Sequence, residues 1–371
     1  MPLKTYRLSD LLTLKYGKNQ SNVESKEGLY PIYGTGGIIG QATEYLYDKP
    51  SILIGRKGSI EKVRYVDKPF WSVDTTFYSI INDKIVDPYF LFCLLTRVDL
   101  SQFDEGTSIP SLRTETLYKM ELKLPDIETQ ITIASFIKLL DQYRQLLESI
   151  NDNLFKILES EYNIIADEYP KEIELSSLCH IIKDKRSSNG LTINNYYSTE
   201  NILPNKAGVV SATSLPLDGK VTHCIEGDVL ISNIRPYFKK IHYCDRISGC
   251  SADVLCFRSK EEGYSPYLYS ILRSDDFFDY VVAGSKGTKM PRGDKEHIIQ
   301  YMIPNPPKDV LNSFNTTAKS ILSIISNNCK INLQLVCMRD YLIPKLMSGE
   351  IDVSTIELPT KYSFICLRQS I

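Results

Sequence analysis

The same order of sequence features occurs twice along this chain of 371 residues, about 180 residues apart. Each half has an apolar run suited to a buried strand, a Pro-Tyr pair that opens a helix, a Gly-Thr pair with a following proline, and a last apolar strand ending in proline. These features lie at residues 51–54, 87–91, 106–110 and 120–125 in the first half and at 228–231, 265–269, 287–291 and 298–304 in the second. The repeat predicts two similar domains.

Each half then ends in a long segment in which apolar residues follow heptad spacing, the pattern of a helix that packs on another helix. Heptad position a is assigned to Ile133, Leu140, Leu147 and Leu154 in the first segment and to Phe314, Ile321, Asn328, Leu335 and Leu342 in the second. Position d is assigned to Phe136, Tyr143, Ile150, Ile157 and Ile164 and to Thr317, Ile324, Ile331 and Met338. Helices of about 36 to 40 residues would each span roughly 55 to 60 Å.

Such long helices with narrow apolar stripes are expected to pack against each other, and to run antiparallel because a whole domain separates them in the chain. A helix pair folded back within each domain is the alternative arrangement. Asn328 at a seam position is expected to fix the register at some cost in stability, so Asn328→Leu is expected to raise thermal stability and loosen the register.

The predicted fold class is α+β, because short β-branched runs alternate with turns and a few amphipathic helices in both domains. We expect two similar α+β domains joined by two long antiparallel helices in a coiled coil, related by a pseudo-two-fold internal repeat. The predicted boundaries are a first domain over residues 1–124, a helical spacer over 125–169, a second domain over 170–304, a second helical spacer over 305–349 and a tail over 350–371.

The composition is that of a globular protein, and its net charge of −2 means that any attraction to nucleic acid must come from local basic clusters. The sequence has no apolar run of 18 residues and no apolar leader, which predicts a cytoplasmic protein without a membrane contact. Nine cysteines without a C-x-x-C pair indicate reduced thiols. Cys244, Cys250 and Cys256, with His242 nearby, are of the residue types that bind zinc, but their even spacing favours one face of β-strands, so no metal is expected.

Three short motifs could suggest catalysis, and none has the context it needs. The glycine-rich segment at residues 34–40 lacks the preceding strand and following helix of a nucleotide-binding loop, so a tight loop is the preferred interpretation. Asn305-Pro306-Pro307 is followed by Lys308 where an amino-methyltransferase motif has an aromatic residue, which favours a stiff linker. Glu121-Leu122-Lys123 is too short to define a nuclease site, and the four histidines form no triad, so no catalytic residues are assigned.

Loops that mix basic, hydroxyl and aromatic residues occur at matching places in both halves. Lysine and arginine neutralise phosphates, while arginine, asparagine and threonine read base edges, so this mixture is typical of a surface that faces duplex DNA. The candidate DNA-binding residues are Tyr33, Thr35, Arg56, Lys57, Ser59, Thr107, Ser108 and Arg113 in the first half, and Asn233, Arg235, Tyr237, Lys239, Lys240, Lys286, Thr288, Lys289 and Arg292 in the second.

The ordered set of motifs resembles the specificity (S) subunit of type I restriction-modification systems. The resemblance is carried by YPIYGTGGIIG at residues 30–40, GTSIPSLR at 106–113 leading into MELKLPDIETQITIASFIKLLD, YYSTENILPNKAG at 196–208 and LIPKLMSGEIDVS at 342–354. Together these segments extend over nearly the whole chain.

The resemblance implies a non-catalytic subunit with two target recognition domains, each reading one half of a bipartite, asymmetric site in double-stranded DNA. It further implies that the helices dock two modification (methyltransferase) subunits and set the spacer length. S-adenosylmethionine, ATP and Mg would then be bound by partner subunits and none by this chain, with restriction or translocase subunits joining in systems that have them. The rival interpretations are an assembly scaffold that does not bind DNA and a stand-alone DNA methyltransferase or nuclease.

Overall fold

The computed structural model describes residues 2–216, 219–351 and 353. The chain divides into two compact units, Met1–Gln145 with Leu333–Ile371, and Leu146–Asn332. We call them the first and second units. Most of the predicted tail over residues 350–371, and the end of the motif at residues 342–354, lie outside the described residues.

The first unit is an α+β fold, with nine strands among its described residues. The strands are β1 (Lys4–Arg7), β2 (Leu12–Tyr16), β3 (Tyr30–Gly34), β4 (Gly37–Ala42), β5 (Ser51–Gly55), β6 (Val63–Val66), β7 (Trp71–Ser72), β8 (Thr76–Ile81) and β9 (Glu121–Leu124). The helices are α1 (Leu8–Leu11), α2 (Pro88–Leu95), α3 (Thr114–Leu117) and the first part of α4 (Ile127–Glu168), with a 3₁₀ turn at Leu100–Phe103. The strands form sheets in the orders β2-β8-β5-β6 and β4-β3-β7, and β1 pairs with β9.

Local sequence explains the centre of this unit. All five residues of β5 are buried, as expected for a continuous apolar run between two neighbouring strands. The helix predicted at Pro88 is present as α2, because Pro88 lies in its first turn and the Asp87 carboxylate accepts the backbone N–H groups of Tyr89 (2.9 Å) and Phe90 (2.8 Å). Phe90 is fully buried in the core that α2 makes with the sheet.

The second unit is also α+β, and the part of it that the structure describes has ten strands. The strands are β10 (Lys171–Glu174), β11 (Cys179–Ile181), β12 (Lys185–Ser187), β13 (Tyr196–Tyr197), β14 (Lys220–Cys224), β15 (Val229–Ser232), β16 (Ile241–Tyr243), β17 (Ser248–Cys250), β18 (Val254–Ser259) and β19 (Met302–Pro304). The helices are the second part of α4, α5 (Leu175–Leu178), α6 (Ser265–Arg273), α7 (Asp275–Ala283), α8 (Lys295–Ile299) and the first part of α9 (Lys308–Ser348), whose remainder belongs to the first unit. A 3₁₀ turn lies at Pro236–Phe238. Two four-stranded sheets have the orders β11-β18-β15-β16 and β12-β14-β17-β13, and β10 pairs with β19.

The two predicted long helices are therefore present, with 42 residues in α4 and 41 in α9. Within the first unit, α4 packs against α9 in the core that contains Ile133, Ile137, Ile343 and Leu346. Within the second unit, a separate core contains Leu158, Tyr162, Ala318 and Ile325. Helix packing inside both units gives these helices the tertiary support that their length requires.

Part of the predicted seam is wrong. Every residue assigned to position a is buried or half-buried, but seven residues from position d are exposed: Tyr143, Ile150, Ile157, Ile164, Thr317, Ile324 and Met338. The buried residues that replace position d lie one residue later in each heptad, as Asn151, Leu158 and Ile165 show. The pattern misled the assignment because apolar residues stand at the exposed positions, while the polar Asn151 interrupts the track that is buried.

A buried amide attaches each unit's long helix to the start of a domain helix. The Gln130 side chain of α4 accepts the backbone N–H of Asp87 (3.0 Å) in the first unit. The Asn315 side chain of α9 accepts the backbone N–H of Tyr267 (2.9 Å) in the second. Because buried hydrogen bonds of this kind are costly to leave unmade, they hold the domain helix in place on the long helix.

Candidate nucleic-acid interface

Two of the predicted loops of the first unit lie side by side. We call residues 56–59 loop A and residues 106–113 loop B. The backbone N–H of Gly58 donates to the Pro110 carbonyl (2.9 Å), and the backbone N–H of Leu112 donates to the Arg56 carbonyl (2.9 Å). Candidate residues separated by about 50 positions in the chain therefore share one edge of the unit.

The side chains of these loops differ in how firmly they are held. The Arg56 guanidinium donates to the Asp74 carbonyl (2.8 Å) and lies over the Tyr16 ring. Arg113 forms an ion pair with Glu105 (3.1 Å), although it is largely exposed. Lys57 is exposed and has no ion pair among the residues that the structure describes. Lys57 is consequently the cation of the two loops most available to a phosphate.

A tight turn shapes loop B. The Asp104 carboxylate accepts the backbone N–H groups of Gly106 and Ser111 (2.8 Å each), and these hydrogen bonds hold the pKa of Asp104 below its usual range. A Cβ at Gly106 would lie 2.0 Å from the Ile109 carbonyl oxygen, so only glycine fits. Thr107 is exposed, as is the adjacent Ser108.

The glycine-rich segment is a hairpin turn between β3 and β4, not a strand-to-helix nucleotide loop. Thr35 lies in this turn. Tyr33 lies on β3 and is half-buried under the Arg64 guanidinium, and burial raises the pKa of its phenol. Tyr33 and Thr35 thus belong to the β4-β3-β7 sheet, whereas loop A follows β5 of the other sheet.

The second unit brings its two predicted loops together in the same way. We call residues 233–240 loop C and residues 285–292 loop D. The backbone N–H of Arg235 donates to the Pro291 carbonyl (2.8 Å), and the backbone N–H of Gly293 donates to the Asn233 carbonyl (3.1 Å). Arg235 and Gly58 both have a positive φ, of 50° and 84°. The backbone therefore turns the same way at the residue that bonds to Pro291 in the second unit and at the residue that bonds to Pro110 in the first.

Several of the predicted cations in loops C and D have partners within the chain, and most of these partners are carboxylates. Lys239 lies 2.7 Å from Asp275, which raises the pKa of the lysine, and Arg292 lies 3.1 Å from Asp253. Lys286 pairs with Asp294, and Lys240 donates to the Thr199 carbonyl. Exposed residues that remain are Arg235, Tyr237, Thr288 and Lys289.

Sequence reasoning did not find three residues that shape loop C. Phe238 is exposed beside Tyr237, and Lys206 and Asp275 contact the loop from elsewhere in the chain. Phe238 could have been found from its place beside two candidates. Lys206 and Asp275 carry no signal, because their contacts depend on the folded chain path.

The three cysteines of zinc-binding type lie in a small apolar core. Cys244, Cys250 and Cys256 are buried there with Cys224. Burial raises the pKa of the Cys244 thiol well above its usual range, which keeps that thiol protonated. His242 is half-buried beside this core, and the loss of solvent around its ring lowers its pKa to about 4. Among the described residues, no group of three or more histidine, cysteine or acidic side chains is arranged to hold a metal ion.

Comparison with known proteins shows which proteins this chain is similar to. Residues 2–155 match the family model described as Type I restriction modification DNA specificity domain. The EcoDI type I restriction enzyme specificity subunit of Escherichia coli is 24% identical over 82% of this chain and 78% of that protein. The MjaIX specificity subunit of Methanocaldococcus jannaschii is 24% identical over 84% of this chain and 80% of that protein.

A solved structure has the same fold. The crystal structure of a type I restriction-modification S subunit from M. genitalium superposes with a TM-score of 0.65 at 16% identity, over 93% of this chain and 96% of that one. Within the described part of the chain, no helix is both long and apolar enough to cross a bilayer. The resemblance drawn from the sequence is confirmed: residues 2–155 match the type I DNA specificity domain model, and the chain is similar to type I specificity subunits over most of its length.

Proposed function

We propose that this chain is the DNA-sequence-specificity subunit of a type I restriction-modification complex and has no catalytic role of its own. Its family supports a role in DNA sequence recognition. The observation that carries the finer proposal is the loop pairing: loops A and B, and loops C and D, are joined by equivalent backbone hydrogen bonds to Pro110 and Pro291. In each unit, exposed cations therefore lie on two loops that are joined by the same pattern of backbone hydrogen bonds.

Each target recognition domain reads one half of a bipartite DNA site. The domains are residues 1–124 and 170–304, and the helical spacers are residues 125–169 and 305–349. The YGTGG hairpin of the first domain has no counterpart in the second, so the two half-sites differ and the whole site is asymmetric. The helices form an antiparallel coiled coil related by the internal repeat, and their length sets the number of base pairs between the half-sites.

The helices also dock two modification subunits. In the second unit, Leu146, Ile150, Ile157 and Ile164 are exposed along α4. In the first unit, α9 exposes Leu333, Met338 and Tyr341. Apolar helix faces of this kind are typical of protein interfaces, and having one in each unit suits two copies of the same partner.

S-adenosylmethionine, ATP and Mg belong to the partner subunits in this proposal. The modification subunits bind S-adenosylmethionine and methylate adenine, and a restriction subunit, where the system has one, uses ATP and Mg. This chain determines which DNA sequence the complex recognises.

Footprinting of the complex with its modification subunits on the target DNA tests the proposal. We expect two protected blocks separated by a gap of constant length. One continuous block, or no protection, contradicts it. Arg235→Glu separates a reader from a scaffold, because Arg235 is exposed and has no ion pair within the described chain: a reader loses protection of one block, whereas a scaffold that does not bind DNA is unchanged.

A further inference from the structure

Backbone strain in the second unit is concentrated where loop C meets residues 205–206. Among the described residues, the non-glycine positions with positive φ are Asn205, Lys206, Arg235 and Lys239. Side chains with a Cβ rarely adopt this conformation, and it persists only where surrounding contacts over-determine it. All four strained residues of the described chain therefore serve one local arrangement.

The contacts that hold this arrangement are direct. The backbone N–H of Asn205 donates to the Phe238 carbonyl (2.7 Å), and the backbone N–H of Lys206 donates to the Lys239 carbonyl (2.9 Å). The Asp275 carboxylate then receives both ammonium groups, from Lys206 at 2.8 Å and from Lys239 at 2.7 Å. These two lysines lower the pKa of Asp275 to about 2, so the carboxylate is ionised at physiological pH.

The element held in this way is an exposed pair of aromatic rings. Tyr237 is 47% exposed and Phe238 is 38% exposed, and their ring centroids are 4.7 Å apart. Pro236 before them is buried and anchors the turn. Arg235, which precedes Pro236, is exposed and is bonded through its backbone to loop D. The strained backbone holds two exposed rings that add nothing to the hydrophobic core. A contact with another molecule would explain why the strained conformation is kept.

We propose that Tyr237 and Phe238 form an aromatic wedge that packs on or between bases of the half-site read by the second domain, with Asp275 as the residue that positions it. This inference rests on the proposed function and deepens it. Apolar wedges partly unstack base steps, and flexible pyrimidine–purine steps yield most easily. The wedge makes recognition at this half-site depend on DNA deformability as well as on base edges. Arg235 beside the wedge supplies a cation for the phosphate backbone.

Asp275 acts on DNA through the loop, and a matched neighbour tests that role. Asp276 is the next residue of α7, carries the same charge and pairs with Lys171 (3.1 Å), which is not a residue of loop C. Asp275→Asn and Asp276→Asn both remove a negative charge near the proposed DNA surface. Electrostatics alone predicts that both variants bind DNA slightly more tightly. Positioning predicts that Asp275→Asn binds more weakly than the wild type while Asp276→Asn does not.

The experiment uses the complex with its modification subunits and duplexes that carry 2-aminopurine, which becomes fluorescent when unstacked, at each adenine of the footprinted site. We expect the wild-type complex to raise the fluorescence at a step in one half-site only. The double variant Tyr237→Ala, Phe238→Ala should abolish that rise and weaken binding roughly 5- to 100-fold, because each stacked base contributes substantially to affinity. Tyr237→Phe keeps the ring and should retain the fluorescence signal.

Two results overturn the wedge. The first is a wild-type complex that protects both blocks but unstacks no base in either half-site. The second is a double variant that keeps wild-type fluorescence and affinity. A wild-type complex without two protected blocks instead contradicts the proposed function itself, so the two failures are distinguishable. Equal effects of Asp275→Asn and Asp276→Asn contradict the positioning role alone.

Discussion

The amide of Asn328 on α9 donates to the side-chain oxygen of Asn151 on α4 at 2.8 Å, and both side chains are 8% exposed. The sequence alone predicts that Asn328→Leu raises stability, because a polar residue at a seam position is costly. The partner changes that expectation. Replacement of either asparagine leaves the other amide buried without its hydrogen bond, and replacement of both removes the unsatisfied group.

The magnitudes follow from two opposing terms. A buried unsatisfied amide costs about 1 to 3 kcal/mol. Burial of a leucine side chain contributes about 1.5 to 3 kcal/mol. Each single variant, Asn328→Leu or Asn151→Leu, should therefore change the free energy of unfolding little, because the two terms nearly cancel. The double variant should be more stable than the sum of the two single changes by about 1 to 3 kcal/mol.

Urea unfolding followed by circular dichroism at 222 nm measures these four free energies. Asn327→Leu is the control, because Asn327 is exposed one residue from Asn328 and should combine additively with Asn151→Leu. A coupling between Asn328 and Asn151 below about 0.5 kcal/mol would mean that the buried pair does not form. A looser register in the double variant should also appear as a variable gap between the two footprinted blocks.

Three further predictions concern the recognition domains. Gly106→Ala should distort loop B and weaken the first footprinted block, with the second block unchanged in the same assay. In the structure, the guanidinium of Arg258 lies 2.7 Å from the buried carboxylate of Asp228. Asp228→Asn removes this charge partner and should lower the free energy of unfolding by about 3 to 5 kcal/mol, measured by urea titration. Lys57→Gln and Lys289→Gln should each weaken binding to all sequences alike and reduce the salt dependence of log K by about 1, measured by titration at several salt concentrations.

Sequence periodicity was sufficient for the coarse architecture. The α+β class and both long helices could be predicted because apolar runs and heptads are local patterns. The inner track of the helices could not, since Ile150 and Ile157 are apolar yet exposed while Asn151 is polar yet buried. Heptad spacing alone does not determine which of two adjacent helix positions faces inward.

The candidate site was predictable to the level of loops but not of side chains. Matching prolines at 110 and 291 pointed to equivalent loops, and the backbone pairs each of these loops with its basic neighbour. Availability of charge was not predictable, because the acidic partner of Lys239 lies 36 residues away in sequence. Basic residues in a loop are thus candidates for phosphate contact only after their partners in the fold are known.

The most direct test that the two target recognition domains read different half-sites is to map methylated adenines across a genome that encodes the modification subunits, with and without this chain. The account predicts that the chain directs methylation to one bipartite motif whose two halves differ in sequence and are separated by a constant number of unspecified base pairs. It also predicts that the Tyr237→Ala, Phe238→Ala variant relaxes or loses one half only. Methylation at a single continuous motif, or a pattern unchanged by removal of the chain, would contradict it.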